Sequence, residues 1–515
     1  MTSDALYLRA DEHWGEDTIV DDRAVGALGN ARRNAAPPIV GSVARSTDPA
    51  GEALLLQAYR DAVQASNLAR PLPDARPAAA PPSPFANAMA DLPLRGKRVL
   101  VVVENLPVPF DRRVWLEART IAAAGAKVSV ICPRGRGHDR RYECIDGIHI
   151  YRHPLPVEAS GAGGFLLEYA AALFWQLVLT SWILVRRGID VIHGCNPPDL
   201  VFLIAWPLKL LGVRFIFDHH DLSPELFEAK FARRGVWWKL LLVLERLTFR
   251  AADVTIATNE SYRRVAIDRG NMASADVFVV RSGPDLDLLR RVDPVEEWKN
   301  GRQHLVGYVG VMGAQEGIDL LIEAVDHIVR RRGRKDVQFC LVGSGPNLNE
   351  LQALVHSKRL EPYVRFTGRA SDQHLIEVLS TMDVGVNPDR VNAMNDKSTM
   401  NKIMEYMSVG KPIVQFDVTE GRESARESSL YAKPNDPIDL AEKLLSLIDD
   451  PVRSRRMGEL GRERVEQSLG WAHQVEPLIN AYRAALTRRA PLARRGRKPQ
   501  QSQPPAAQAH HRPAS

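Results

Sequence analysis

The richest chemical pattern in the chain lies between Asn395 and Val414, NDKSTMNKIMEYMSVGKPIV. Read at about 3.6 residues per turn, Met400, Ile403, Met404 and Met407 form an apolar stripe, and Ser398, Asn401, Lys402 and Glu405 form a polar one facing away from the core. Asp396, Ser398 or Thr399 is placed to cap the helix start; Gly410 ends it in a left-handed turn and Pro412 prevents its return. Unpaired N–H groups at a helix start attract anions, and Lys402 adds a full positive charge one turn in. Glu405, one turn further, can accept from two hydroxyls of a sugar. Phosphate near the helix start and ribose near the carboxylate is the layout of a nucleotide-sugar site. The plainer alternative is a surface amphipathic helix with an ordinary Glu–Lys pair.

A second set of polar residues follows apolar runs. DVIHGC (190–195), VRFIFDHHD (213–221) and DVTIATN (253–259) read as buried strands, ending in His193 and Asn196, in Asp218, His219, His220 and Asp221, and in Asn259 and Glu260. Ligands of open parallel sheets bind at the carboxyl ends of the strands, so these residues share one rim. A metal is a poor fit to the His-Asp group, because His219 and His220 are adjacent and point to opposite sides of a strand. Further on, Gly310, Gly313, Gly343, Gly345 and Gly368 sit at strand-to-helix turns, where a bare backbone can approach a ligand closely.

The elements that must carry these residues alternate strand and helix. KRVLVVV opens the order at Lys97, followed by the helix WLEARTIAAAGA and the strand KVSVICP. No GxGxxG follows the first strand, which excludes the usual dinucleotide mode there. A second alternation begins at His304: HLVGYVGVM, a helix from Gly317, VQFCLVGSGP, YVRFTG and MDVGVNP. The expectation is an α/β protein of two Rossmann-like domains facing a cleft, residues 97–285 and 286–470, with an amphipathic helix, 471–488, crossing back to the first domain. The Ala/Pro-rich arm 1–96, apart from a short helix around Glu52 to Leu68, and the basic tail 489–515 are expected to be disordered.

The 515 residues are 45% hydrophobic and 25% charged, ordinary globular values, and the formal charge is +6. From Arg483 onward there is no acid among several arginines, a tail read as solvated or lipid-facing rather than nucleic-acid binding. Cys132, Cys144, Cys195 and Cys340 form no CxxC pair and suit a reducing compartment. The N-terminus shows no secretory h-region, so a cytoplasmic location is expected. Two stretches, GFLLEYAAALFWQLVLTSWILVRRG (164–188) and GVWWKLLLVLERLTF (235–249), read as helices covering the sheet whose aromatics also suit a membrane interface; core helices are the alternative.

NLPVPFDRRVWLEA, FDHHDLSPELF, GYVGVMGAQEGIDLLIEA, VGSGP and, most specifically, NKIMEYMSVGKPIV resemble the retaining nucleotide-sugar glycosyltransferases of family 4, with the two-Rossmann GT-B architecture, over roughly residues 97 to 486. The resemblance implies a nucleotide-sugar donor in the second domain, an acceptor in the first, closure around both, retention of configuration and no metal or other cofactor. Glu405 matches the second glutamate of the family's Glu–seven residues–Glu motif, which holds the donor ribose; the first falls on Lys397, beside Asp396 as a substitute. Where the family carries a basic pair for the diphosphate this chain has Gln315 and Glu316, leaving Lys402, Lys397, Arg281 or Arg390 to supply the charge. His220, or else His219, matches the histidine that reaches the donor sugar from the first domain, with Asp221 and Glu225 to orient it or the acceptor. Base recognition falls to the region from Arg365 to Arg369.

These readings lead to sugar transfer from a nucleotide donor to a lipid-linked or other saccharide acceptor, in surface polysaccharide assembly at the cytoplasmic face of the inner membrane. Electrostatic stabilisation of the leaving diphosphate does most of the work. Two alternatives stand beside it: a non-catalytic nucleotide-sugar-binding subunit, suggested by Lys397 and Glu316, and a sugar-nucleotide epimerase.

Overall fold

The computed structural model describes residues 92–488 except 136, 155–161 and 232; the expectations for the Ala/Pro-rich arm, the Glu52–Leu68 helix and the basic tail lie outside the described residues. In the first domain the strands are β1 (Arg98–Val102), β2 (Lys127–Pro133), β3 (Tyr142–Ile145), β4 (Ile148–His153), β5 (Val191–Cys195), β6 (Arg214–His219), β7 (Val254–Ala257) and β8 (Val277–Val279). They form one sheet in the order β3-β4-β2-β1-β5-β6-β7-β8. Pairing is parallel throughout except for β3, which lies antiparallel on β4. That hairpin escapes the strand–helix pattern because Asp146 and Gly147, both at positive φ, turn the chain back at once.

The second domain holds β9 (His304–Val309), β10 (Val337–Val342), β11 (Val364–Gly368), β12 (Val384–Asn387), β13 (Ile413–Phe416) and β14 (Ser429–Ala432), in the order β11-β10-β9-β12-β13-β14. All five pairings are parallel. Such strands are buried on both faces, which is why they read as continuous apolar runs. Each sheet accordingly has a hydrophobic cluster on either side.

The helix Val475–Thr487 packs on the first domain. Leu478, Ile479, Tyr482 and Ala485 join the cluster that holds Val101, Val130 and Ile216. Trp471 enters the same cluster, and its indole N–H donates to Thr120 Oγ1 at 3.0 Å. Two chain crossings therefore join the domains.

Candidate functional site

The cleft is lined from the first domain by the ends of β5, β6 and β7. Asn196, just past β5, orders the loop after β6: its Oδ1 accepts from the backbone N–H of His220 at 2.7 Å and of Asp221 at 3.1 Å. Its Nδ2 donates to Asp199 Oδ1 at 2.9 Å and to the Asp221 carbonyl at 2.8 Å. His220 and Asp218 share one side of the strand, so His220 Nε2 meets Asp218 Oδ2 at 2.5 Å. His193 Nε2 approaches the same oxygen at 3.2 Å, and its Nδ1 lies 2.7 Å from the Tyr482 hydroxyl of the returning helix.

Arg113 stands at the centre of this buried group. It lies 3.0 Å from both Asp218 and Glu117 and donates to the Val280 carbonyl at 2.9 Å. It is one turn before Glu117 on the Arg112–Ala123 helix, which Asp111 caps by accepting from Val114 N at 3.0 Å. Burial pushes Asp218 upward, but Arg113 and the two histidines outweigh it and hold the carboxyl well below its usual range. Burial pushes Glu117 well above its usual range despite Arg113, and holds His220 below its ordinary value against the pull of Asp218. Arg113 and Asp218 thus form the charge pair at its centre, while burial disfavours the charged forms of Glu117 and His220. Glu117, Asp218 and His220, and likewise His193, Cys195 and Asp218, come close enough to hold a metal ion. Arg113 already supplies a cation to both carboxylates of the first set and to Asp218, which the sets share.

His219 has no part in the cleft. Its ring is fully buried among Phe217, Phe249 and Tyr262, with centroids 5.1–5.3 Å away. Strand alternation puts it on the opposite side from His220, so the structure corrects the assignment of a catalytic role to it. Asp221 is buried behind Asn196.

In the second domain the helix Asn401–Ser408 begins later than expected. Met400 occupies its N-cap without a side-chain bond, so Asp396, Lys397, Ser398 and Thr399 form a loop in front of it. Gly410, at φ +70°, closes its far end, with Lys411 N donating to Tyr406 O at 3.0 Å. Lys402 is buried rather than facing solvent. Its ammonium donates to Asp389 Oδ1 at 2.8 Å and lies 5.0 Å from the Tyr308 ring centroid. A Cβ on Gly310, at φ +147°, would meet Lys402 Cε at 3.1 Å, so the bare turn after β9 touches the lysine stem. Glu405 lies one turn on, half-buried.

Several other expected donor contacts are engaged elsewhere. The Asp396 carboxylate accepts from Thr419 N at 2.8 Å and Thr419 Oγ1 at 3.0 Å, tying down the start of the Thr419–Ala425 helix. Lys397 donates to Glu225 of the facing domain at 3.2 Å. Ser398 Oγ donates to Met394 O at 2.9 Å. Arg281 lies 3.6 Å from Glu420, and Arg369 stacks on Phe110 at 4.5 Å. Arg390 braces the turn after β9, binding the Ala314 carbonyl at 3.2 Å and Asp319. Gly343 and Gly345 serve backbone packing instead of ligand approach: a Cβ on Gly343 would fall 1.8 Å from Gly310 O, and one on Gly345 2.6 Å from Met312 N. Gly313 leads into the Ala314–Glu316 turn, where Gln315 and Glu316 are buried. Of the proposed donor residues, Gly310 and Lys402 adjoin, and Glu405 lies one turn beyond Lys402 on the helix that Asn401 starts.

Sequence reasoning passed over Arg113, Glu117, Glu245, Arg269 and Tyr482. The Arg113–Glu117 spacing of four in DRRVWLEA was the available signal for a buried helical ion pair. Nothing local marks Arg269 or Tyr482, whose partners are distant in the chain.

Comparison with known proteins agrees with this architecture. Residues 111–288 match the family model described as Glycosyltransferase Family 4, and residues 303–450 the model described as Glycosyl transferases group 1. The chain is 27% identical to an alpha-D-kanosaminyltransferase of Streptomyces kanamyceticus, over 59% of this chain and 80% of that one. It is 28% identical to a GDP-mannose-dependent monoacylated phosphatidylinositol monomannoside mannosyltransferase of Corynebacterium glutamicum, over 32% of this chain and 43% of that one. Among solved structures, a sucrose-phosphate synthase from Thermosynechococcus elongatus superposes with a TM-score of 0.63 at 20% identity, covering 75% of this chain and 98% of the other.

Proposed function

Because the chain belongs to glycosyltransferase family 4 and is a nucleotide-sugar-dependent glycosyltransferase, we propose that it transfers the sugar with retention of configuration, without a metal, to a lipid-linked saccharide at a membrane surface. The observation that carries the donor half is the contact of Lys402 with the glycine turn at Gly310. A diphosphate laid beside that turn meets the start of the Asn401–Ser408 helix and a buried ammonium at once. Glu405 then accepts from the ribose hydroxyls. His220, braced by Asp218 and Asn196, faces the sugar from the other domain. As the sugar–phosphate bond breaks, charge grows on the diphosphate beside Lys402, and the leaving oxygen takes the acceptor's proton.

The acceptor half rests on an apolar face of the first domain. The helices Ala162–Arg187, Phe202–Lys209 and Val236–Ala251 pack side by side. Together with the turn at Leu210 and Leu211 that follows the second, they expose Phe174, Trp182, Trp206 and Trp237, with Trp206 62% and Leu210 86% exposed. Arg186 stacks on Trp182, placing a cation beside an exposed aromatic ring as at a bilayer interface. Tyr169–Arg187 is long and apolar enough to cross a bilayer, but it lies along β1, β2 and β4. The Corynebacterium relative is named for a lipid acceptor.

The test is a panel of UDP-, GDP- and ADP-sugars scored by thermal shift on wild type and Glu405→Ala. One donor should stabilise the wild type and lose its effect in the variant. That donor, supplied with membrane lipid extract in EDTA, should then yield a glycolipid of unchanged anomeric configuration by NMR. No shift from any donor with folded wild type overturns the donor reading.

A further inference from the structure

Lys397 opens the loop that leads into the Asn401–Ser408 helix, and its charge is directed away from that helix. Its ammonium lies 3.2 Å from Glu225 Oε1, on the Ser223–Phe231 helix of the other domain. Glu225 is fixed before Lys397 reaches it. Arg269 holds both its oxygens, at 2.8 and 3.2 Å, and is itself held by Glu245 at 2.6 Å. The same loop is gripped from the first domain at its backbone. Asn259 Nδ2 donates to Lys397 O at 2.8 Å and to Thr399 Oγ1 at 2.9 Å, while Asn259 Oδ1 caps its own helix at Tyr262 N. On the second-domain side Asp396 is tied to Thr419, and the next residue, Glu420, accepts from Ser261 N of the first domain at 3.1 Å.

Each residue from Asp396 to Thr399 is thus pinned, Lys397 and Thr399 among them by the facing domain, directly before the helix that carries Lys402 and Glu405. We propose that Lys397 is a positioning residue, not a phosphate ligand: docked on Glu225 across the cleft, it holds the 396–400 loop in the shape the donor helix needs, so that donor binding and closure of the domains are coupled. The inference rests on the donor site described above. Removing Lys397 leaves Glu225 neutralised by Arg269, so the fold does not depend on the pair.

The experiment compares full-length Lys397→Met, Lys397→Arg, Glu225→Gln and the double variant Lys397→Met/Glu225→Gln. The first readout is hydrogen–deuterium exchange across 394–405 without ligand. Exchange should rise in Lys397→Met, rise no further in the double variant, and stay near wild type in Lys397→Arg. The second readout is the concentration of UDP-glucose, GDP-mannose or ADP-glucose giving half-maximal thermal shift. It should rise roughly tenfold in Lys397→Met, a size ordinary for coupling between sites, and be non-additive with Glu225→Gln. Unchanged exchange in Lys397→Met, or effects of the two substitutions that multiply, overturns the inference. If none of the three donors shifts the wild type, the donor reading fails instead, and the exchange data still decide whether the pair orders the loop.

Discussion

Replacing Lys402 by Met separates two roles that one ammonium fills. Lys402 and Asp389 are 6% and 2% exposed and 2.8 Å apart, so the substitution strands a carboxylate in the core beside Tyr308 and Tyr406. Breaking a buried pair from one side costs about 3–5 kcal/mol, because the remaining charge has lost its partner without regaining water. For a unit the size of the second domain each kcal/mol moves the melting temperature by about 2–4 °C, so Lys402→Met should melt ~6–20 °C lower. Adding Asp389→Asn removes the stranded charge, and the double variant should recover most of that loss. It should not recover donor binding, because neither residue then offers a cation to the diphosphate beside Gly310. Differential scanning calorimetry and isothermal titration with the donor that stabilises wild type give the two quantities separately. A single variant melting within 2 °C of wild type would refute the burial argument. A double variant that binds donor like the wild type would refute the role given to Lys402.

Three further outcomes are expected. Glu245 is buried beside Arg269, and burial lifts its carboxyl to about 8. A carboxyl raised above its unfolded value, near 4.5, contributes stability that is full below pH 4.5 and lost as pH rises through about 8. Glu245→Gln should therefore flatten the fall in melting temperature between pH 5.5 and 8, where up to about 1.4 kcal/mol per pH unit is at stake; unchanged slopes would show that Glu245 stays ionised. Trp206→Glu with Leu210→Glu should abolish sedimentation with phosphatidylglycerol vesicles while leaving the melting temperature unchanged, because both side chains are exposed; retained sedimentation would count against this face as the membrane seat. Gly343→Ala should destabilise the second domain by on the order of 3 kcal/mol in urea melts, since its Cβ would collide with Gly310 O from a backbone at φ +133°; a variant of normal stability would mean that the two loops separate easily.

The parts legible in the sequence were those whose signal is periodic and local. β1, β5, β6, β9 and β10 are buried on both faces and so appear as runs of Val, Ile, Leu and Phe, which fixed the two alternating halves. Gly410 and Pro412 located the end of the donor helix for the same reason. Its start was misplaced because Asp396 and Ser398 are good capping residues whose side chains bind Thr419 and Met394 instead, a choice made by tertiary contacts. The polar stripe failed at Lys402 for a related reason. Periodicity assigns a lysine to solvent, and Asp389, just past β12, together with the Tyr308 ring makes its burial tolerable.

The same distinction explains why the charges of the cleft could not be assigned in advance. Lys397, Arg281, Lys402 and Arg390 are equivalent in the sequence as cations within reach of a diphosphate. In the structure the first two face Glu225 and Glu420, the fourth braces the segment after β9 at Ala314, and Lys402 lies against Gly310. What sorts them is the position of carboxylates, and Glu225 comes from the opposite domain, far away in the chain. A cation whose counter-ion sits across the cleft changes its partner when the cleft opens, whereas one paired within its own domain does not. Lys397 belongs to the first kind and Lys402, with Asp389, to the second. Loss of Lys397 should therefore be felt most in how readily the closed state forms, and loss of Lys402 in how tightly the closed state holds its donor.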